Sequence, residues 1–292
     1  MARNLFIAVG HDGTRVTSPD GQTWGEPQLG KEGETYRAVV CGKGLAIAVG
    51  GYGGNNILSV TADGVTWKLQ QQDAQYSRYA RGVTFGDQEF IALGGDPVSV
   101  GAAKPFILTT RNGDKWNGPI DIGGKFMLRR MAYGGEKYVA VGDRGRRAVS
   151  KDARTWTDVA DVKPIDTLID VAYGNGAFVG VGLHGLRTAT QDGLKWVRPQ
   201  RGEEGEHLNA VVWAKDHFVA VGAGVTYFSN DALKWERHVN RDAPNSVAYG
   251  DGVFVGPRWK GRLCYSTDGI EWKEVYQSKI HLEAVAFGSV GT

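Results

Sequence analysis

Ser18-Pro-Asp-Gly-Gln-Thr-Trp24 is the first of seven copies of one short motif, and the spacing of those copies decides the fold. The others are Thr61-Ala-Asp-Gly-Val-Thr-Trp67, Thr110-Arg-Asn-Gly-Asp-Lys-Trp116, Ser150-Lys-Asp-Ala-Arg-Thr-Trp156, Thr190-Gln-Asp-Gly-Leu-Lys-Trp196, Ser229-Asn-Asp-Ala-Leu-Lys-Trp235 and Ser266-Thr-Asp-Gly-Ile-Glu-Trp272. Their tryptophans step by 43, 49, 40, 40, 39 and 37 residues, the length of one four-stranded blade. Each copy reads as a tight turn. The Asp carboxylate accepts backbone N–H groups, the Ser or Thr hydroxyl supports it, Gly supplies positive φ, and Trp buries a large apolar area between blades.

A second repeat lies upstream of each turn. Val171-Ala-Tyr-Gly-Asn-Gly-Ala-Phe-Val-Gly-Val-Gly182 is its clearest copy, two alternating strands across a Gly-Asn-Gly turn. Val247-Ala-Tyr-Gly-Asp-Gly-Val-Phe-Val255 and Met131-Ala-Tyr-Gly-Gly-Glu-Lys-Tyr-Val-Ala-Val-Gly142 match it. Each blade therefore reads as strand A, turn, strand B, loop, strand C, motif, strand D. Ala284-Val-Ala-Phe-Gly288 is a strand A lacking its B, and Asn4-Leu-Phe-Ile-Ala-Val-Gly10 is a B lacking its A. The prediction is an all-β, seven-bladed β-propeller of four-stranded antiparallel blades, one domain over 1–292. Its ring closes by pairing the terminal strands in a shared blade 1 (residues 281–292 and 1–27). Blades 2 to 7 start near Tyr36, Tyr79, Leu128, Leu168, Leu208 and Pro244.

At the seven turns the chain resembles the Asp-box (BNR-type) repeat family, and the resemblance covers its whole length. It makes Asp20, Asp63, Asn112, Asp152, Asp192, Asp231 and Asp268 structural. Three positions depart from the pattern: Asn112 replaces Asp, and Ala153 and Ala232 replace Gly. Those two alanine turns either avoid positive φ or carry strain. The resemblance implies glycan handling or a role in assembly. Seven-bladed photosystem assembly factors of this type carry an arginine patch, and the match to them is one of architecture and charge alone.

Bulk properties narrow the classes. The formal net charge is +2, too small to drive nucleic-acid or membrane binding. No apolar run approaches a membrane span, and Met-Ala-Arg-Asn leads straight into a strand, so no signal peptide is expected in this chain. The compartment stays open, secreted or periplasmic if a leader was removed. Cys41 and Cys264 lie far apart in sequence, so no disulfide is expected. His11 and His184 occupy similar loops in distant blades, and no metal or other cofactor is expected. Glu203-Glu-Gly-Glu206 reads as a solvated loop, and Trp213, standing where Tyr173 stands in its own repeat, reads as core.

Function on a repeat scaffold belongs where the copies disagree. Motif-to-strand-A spacings are uniform, at 15 residues from Trp24 to Val39 and 16 from Trp67 to Val83. The B–C loops are not. They span 8 residues in blades 4 and 5, 11 in blade 2 and 16 in blade 3. The insertions Gly51-Tyr-Gly-Gly-Asn-Asn56, holding Tyr52 and Asn55, and Asp96–Lys104 should rise together on the face opposite the Asp boxes. Two positions before the strand-A Val or Met stand Arg37, Arg81, Arg129, Ile169, Asn209, Asn245 and Glu283. With Arg130, and with Arg144 and Arg146 in the blade 4 loop, they gather positive charge over blades 2 to 4. Arg suits carboxylate, sulfate or phosphate. The same arginines could equally pair with Glu32, Glu34, Asp73 or Asp170. In blade 7, Pro257 should interrupt strand B, leaving Arg258 and Trp259 on the loop face, free to stack on a ligand or packed on a neighbouring blade.

Two readings follow. One is a non-catalytic binding or scaffold protein, expected to be a monomer, that holds a glycan, a small anionic ligand or a protein partner on the loop face. The alternative is a glycan-cleaving enzyme, drawing on Glu34, Asp96, Asp170 and Glu283. Glycosidases need two facing carboxylates about 5–10 Å apart, and the sequence pairs none of these. Sialidases have six blades and an Arg-Ile-Pro segment near the N-terminus, and this chain has neither.

Overall fold

The computed structural model describes residues 2–71, 79–95, 104–160 and 162–291. Seven antiparallel sheets follow one another around a ring. Blade 1 takes strand A from the C-terminus (Leu282–Val290), B from the N-terminus (Arg3–Gly10) and C from Arg15–Ser18. Its A and B strands pair from Arg3↔Val290 to Val9↔Ala284, which closes the ring as expected. Strands A begin at Thr35, Tyr79, Leu128, Leu168 and Leu208 in blades 2 to 6. In blades 1 and 5 strand D shrinks to single bridges, Arg15↔Gln28 and Arg187↔Gln200. No helix among the described residues is long and apolar enough to cross a membrane.

Strand B is buried on both faces because each sheet is covered by the blade on either side. The core is accordingly divided by junction. One apolar cluster joins Leu5, Ile7 and Val9 of blade 1 to Tyr36, Ala48 and Ile57 of blade 2. Another joins Phe6, Ala8 and Val16 to Val255 and Leu263 of blade 7. The seam between the chain ends is therefore packed like every other junction.

The glycine ending strand A does a job that the sequence reading assigned to a turn. It is a socket between blades. A Cβ on Gly86 would lie 2.4 Å from Tyr133 of the next blade, on Gly134 2.1 Å from Tyr173, and on Gly250 2.0 Å from Phe287. At these junctions the strand-A aromatic packs on the backbone of the preceding blade.

The turns of the seven-fold motif have the expected bonding. Ser18 Oγ accepts the Gly21 N–H at 2.8 Å, and Asp20 Oδ1 accepts the N–H groups of Gln22 (2.8 Å) and Thr23 (2.7 Å). Asn112 accepts only that of Asp114, at 3.2 Å. Ala153 and Ala232 do adopt positive φ, at 58° and 63°. Their methyls are buried, so packing offsets part of the roughly 1–2 kcal/mol cost of the left-handed region.

Two expectations need correction. Pro257 does not interrupt strand B of blade 7, which runs Val253–Arg258 and pairs fully with strand C. The Pro257 carbonyl accepts from Asn245 on the strand-A side, so its missing N–H also faces strand A. Strand A is the one that shortens, to Ala248–Gly250. Glu206 is not a solvated residue. It is buried and accepts from the Tyr227 hydroxyl (2.6 Å), from Arg237 Nε (2.8 Å) and from the Glu203 N–H (3.0 Å).

Candidate functional site

Strand A lines the channel of the ring, and a β-bulge breaks its register at one recurring place. The pairing shifts between Tyr36 and Ala38, Ala80 and Gly82, Leu128 and Arg130, Leu168 and Asp170, and Leu208 and Ala210. The extra residue is Arg37, Arg81, Arg129, Ile169 or Asn209, and in blade 1 it is Glu283. A bulged residue leaves the alternating pattern and its side chain is re-aimed. The bulge is therefore why these positions gather at one mouth. In blade 7 the strand-A ladder starts only at Ala248, past this place.

The residue after the bulge is small in most blades: Ala38, Gly82, Ala210 and Ala284. In blades 4 and 5 it is Arg130 and Asp170. Arg130 reaches across the channel, donating to the carbonyls of Arg81, Arg129 (3.2 Å) and Arg37 (3.3 Å). Gly82 leaves room for this, since a Cβ there would sit 2.6 Å from the Arg129 carbonyl. Asp170 accepts the Val211 N–H of blade 6 at 2.9 Å. Burial pushes the Asp170 carboxyl up from its ordinary range, and the charge of Arg130 opposes the shift.

The other arginines differ in how they are partnered. Arg37 donates to Glu283 at 3.3 Å, and Arg129 is paired with Asp143. Arg81 has no ion pair among the described residues, and its Nε is buried without a partner. Burial pushes its guanidinium down, the charges of Arg129 and Arg37 add to that, and Asp143 opposes it. Neither Glu32 nor Glu34 pairs with these arginines, and Asp73 lies outside the described residues.

Arg81 and Arg37 border a cleft of about 370 Å3 between blades 2 and 3, walled also by Gly33, Gly51, Tyr52 and Tyr79. None of its described lining residues is acidic. The Tyr79 ring lies where a side chain on Gly51 would be, 1.8 Å from a Cβ built there, and its hydroxyl accepts the Gly54 N–H at 3.1 Å. Sequence reasoning passed over Tyr79, although the glycine run opposite it was the available signal. The Gly51–Asn56 insertion is an extended hairpin, with Tyr52 opposite Asn55 across Gly53-Gly54, both at positive φ. Residues 96–103 of the blade 3 insertion, Asp96 included, lie outside the described residues.

The remaining candidates stand apart from this cleft. Arg146 turns inward, its side chain 5% exposed, bonding Asp158 at 3.0 Å and the Phe126 carbonyl at 2.7 Å, so it holds structure and offers no charge. Arg144 is exposed over the Phe126 ring. Arg258 pairs with Asp242 at 2.8 Å. Trp259 is 69% exposed and stacks on His281, with ring centroids 5.0 Å apart. Of the four carboxylates considered for catalysis, Glu34 is buried, Asp170 caps a backbone N–H, Glu283 is paired, and Asp96 is undescribed.

No protein-family model matches the sequence, and no curated protein matches it. Solved structures match the fold. One is YCF48 bound to D1 peptide, at TM-score 0.63 and 16% identity, with 96% of this chain and 88% of that chain covered. Another is YCF48 from Cyanidioschyzon merolae, at TM-score 0.58 and 15% identity over 83% of this chain and 85% of that one. A third is the computationally designed Ika8 protein, at TM-score 0.55 and 14% identity over 86% and 76%. The YCF48 likenesses support the propeller fold, and the seven sheets around the ring give its blade number.

Proposed function

We propose that this chain is a non-catalytic binding propeller whose blade 2–3 mouth receives a protein segment bearing a carboxylate side chain. The observation that carries this reading is Arg81. It lacks a counter-ion among the described residues, it is crowded by Arg37 and Arg129, and it borders a cleft whose described lining holds two tyrosines and no acid. An incoming carboxylate would relieve that repulsion, and Arg suits it geometrically. The tyrosines supply apolar surface with a polar end, as peptide grooves do. The fold neighbour YCF48 is described bound to a D1 peptide, which favours a peptide over a glycan or a free anion. Among the described residues that line the cleft there is no facing pair of carboxylates to support a glycosidase, and the binding reading is preferred. The proposal takes 1–292 as one propeller domain of Asp-box type acting as a monomer.

The test is fluorescence polarisation of labelled random peptides, one pool rich in Asp and Glu and one neutral. The Arg37→Ala/Arg81→Ala/Arg129→Ala variant is run beside the native chain. Preference for the acidic pool, weakened at least tenfold in the variant, is expected. Equal binding by the variant overturns the proposal. Binding to sialylated or sulfated glycans on an array, with none to either peptide pool, overturns it in favour of a glycan.

A further inference from the structure

Beside the arginine mouth, blade 1 brings together two histidines and a carboxylate that the sequence separates by some 270 residues. His11 follows strand B, and His281 and Glu283 flank the first residue of strand A. Their donor atoms all lie within 4.8 Å of one another. His11 Nε2 hydrogen-bonds Glu283 Oε1 at 2.8 Å, and Arg37 donates to the same oxygen, which leaves Oε2 with no bond among the described residues. His281 Nδ1 is buried with no hydrogen-bond partner. Such an orphaned ring nitrogen is costly unless something fills the place opposite it.

We propose that His11, His281 and Glu283 form a binding site for a divalent transition-metal ion of the zinc class. Two imidazoles and one carboxylate form a common zinc set with a position left open. Tetrahedral coordination at about 2.0–2.1 Å puts ligand atoms about 3.3 Å apart. His11 and Glu283 need to open only slightly for that, the ion replacing the proton between them, and side-chain rotation adjusts the two distances to His281, which are within 4.8 Å.

The backbone beneath is already fixed. The His11 N–H donates to the His281 carbonyl at 2.9 Å, and Glu283 occupies the blade 1 bulge. Trp259 stacks on the His281 ring and holds its plane, as an outer-shell group does at a built metal site. The ion would tie an N-terminal residue to two C-terminal ones across the seam that closes the ring. Its expected effect is therefore on stability as well as on binding. Of the three arginines mutated in the peptide test only Arg37 touches the site, through Glu283, so Arg81→Ala alone, which leaves that contact in place, keeps failure of one proposal distinguishable from failure of the other.

Isothermal titration of the chain with zinc chloride is expected to show one saturable equivalent, and zinc in excess should raise the melting midpoint by several degrees. His281→Gln and Glu283→Gln should each weaken binding at least tenfold and abolish the shift. Their zinc-free melts serve to check that they fold. Copper(II) at the same site should quench the exposed Trp259, one of nine tryptophans, and Trp259→Phe should remove that quenching while keeping the binding heat. The other close histidine pair, His184 and His207, with ring centroids 5.6 Å apart, is the control. Absence of saturable binding, or binding that survives His281→Gln and disappears in His184→Gln/His207→Gln, overturns the proposal.

Discussion

A methyl group on Gly174 would lie 2.2 Å from the indole of Trp213 in the next blade. Gly174 ends strand A of blade 5, and Trp213 takes the aromatic place in strand A of blade 6. The indole also packs against Phe218, with centroids 4.6 Å apart, so it cannot retreat without disturbing its own sheet. Gly174→Ala should therefore destabilise the ring by about 2 kcal/mol or more, as overpacking of a filled core does. Gly176→Ala, two residues on, meets nothing within 4 Å and pays only for its positive φ of 75°. Urea unfolding of the two variants should rank them in that order.

Asn112→Asp restores a carboxylate to the one box that lacks it. The native amide oxygen accepts one N–H at 3.2 Å, where Asp152 accepts two at 2.8 and 2.7 Å. Hydrogen bonds to a charged acceptor are stronger, and the box is exposed, so a gain of about 0.5–1 kcal/mol at pH 7 is expected. A higher urea midpoint with unchanged slope checks it.

Two aspartates should give stability opposite dependences on pH. The Thr155 N–H is the largest influence on Asp152 and holds its carboxyl down at about 2 against burial. A carboxyl depressed in the fold contributes stability above its unfolded pKa, near 3.9, that is lost as pH falls toward 2. Asp170 is raised, chiefly by burial, so its contribution turns unfavourable as pH rises from the unfolded value through the folded one. Asp170→Asn should remove that second component and keep the bond to the Val211 N–H. Thermal melts from pH 2 to 7 should show the acid-side loss in both chains and the decline at higher pH only in the native one.

Glu206→Ala should cost about 2–3 kcal/mol. It leaves Arg237, Tyr227 and the Glu203 N–H without their shared acceptor, the usual penalty for breaking a buried pair, discounted because Arg237 is partly exposed. Glu203→Ala removes an exposed side chain and should change stability by less than about 0.5 kcal/mol. Comparable losses in the two variants would contradict the burial described for Glu206.

The repeat was legible in the sequence because each blade solves its local problem alone. Each motif turn is closed by bonds within a few residues, and alternation within strands A and B follows from the pleat. Even ring closure could be read, since a strand A without a B and a B without an A leave one arrangement. What the sequence could not display was contact between blades. The glycine of Ala-Tyr-Gly looked like turn chemistry, and only the stacking of sheets reveals it as a socket for the neighbour's aromatic. Glu203 to Glu206 reads as one charged run, although packing sends the last of them inward to Arg237.

The same division runs through the site. Sequence comparison singled out Arg37, Arg81 and Arg129 because they break the repeat. It could not tell which of them was already neutralised, because Glu283 and Asp143 approach only when blade 1 closes and the blade 4 loop turns. The β-bulge that aims them into the channel has no one-residue signature, since it is a property of two strands in register. His11, His281 and Glu283 mark the limit of linear reading: the ends of the chain become neighbours only in the closed ring.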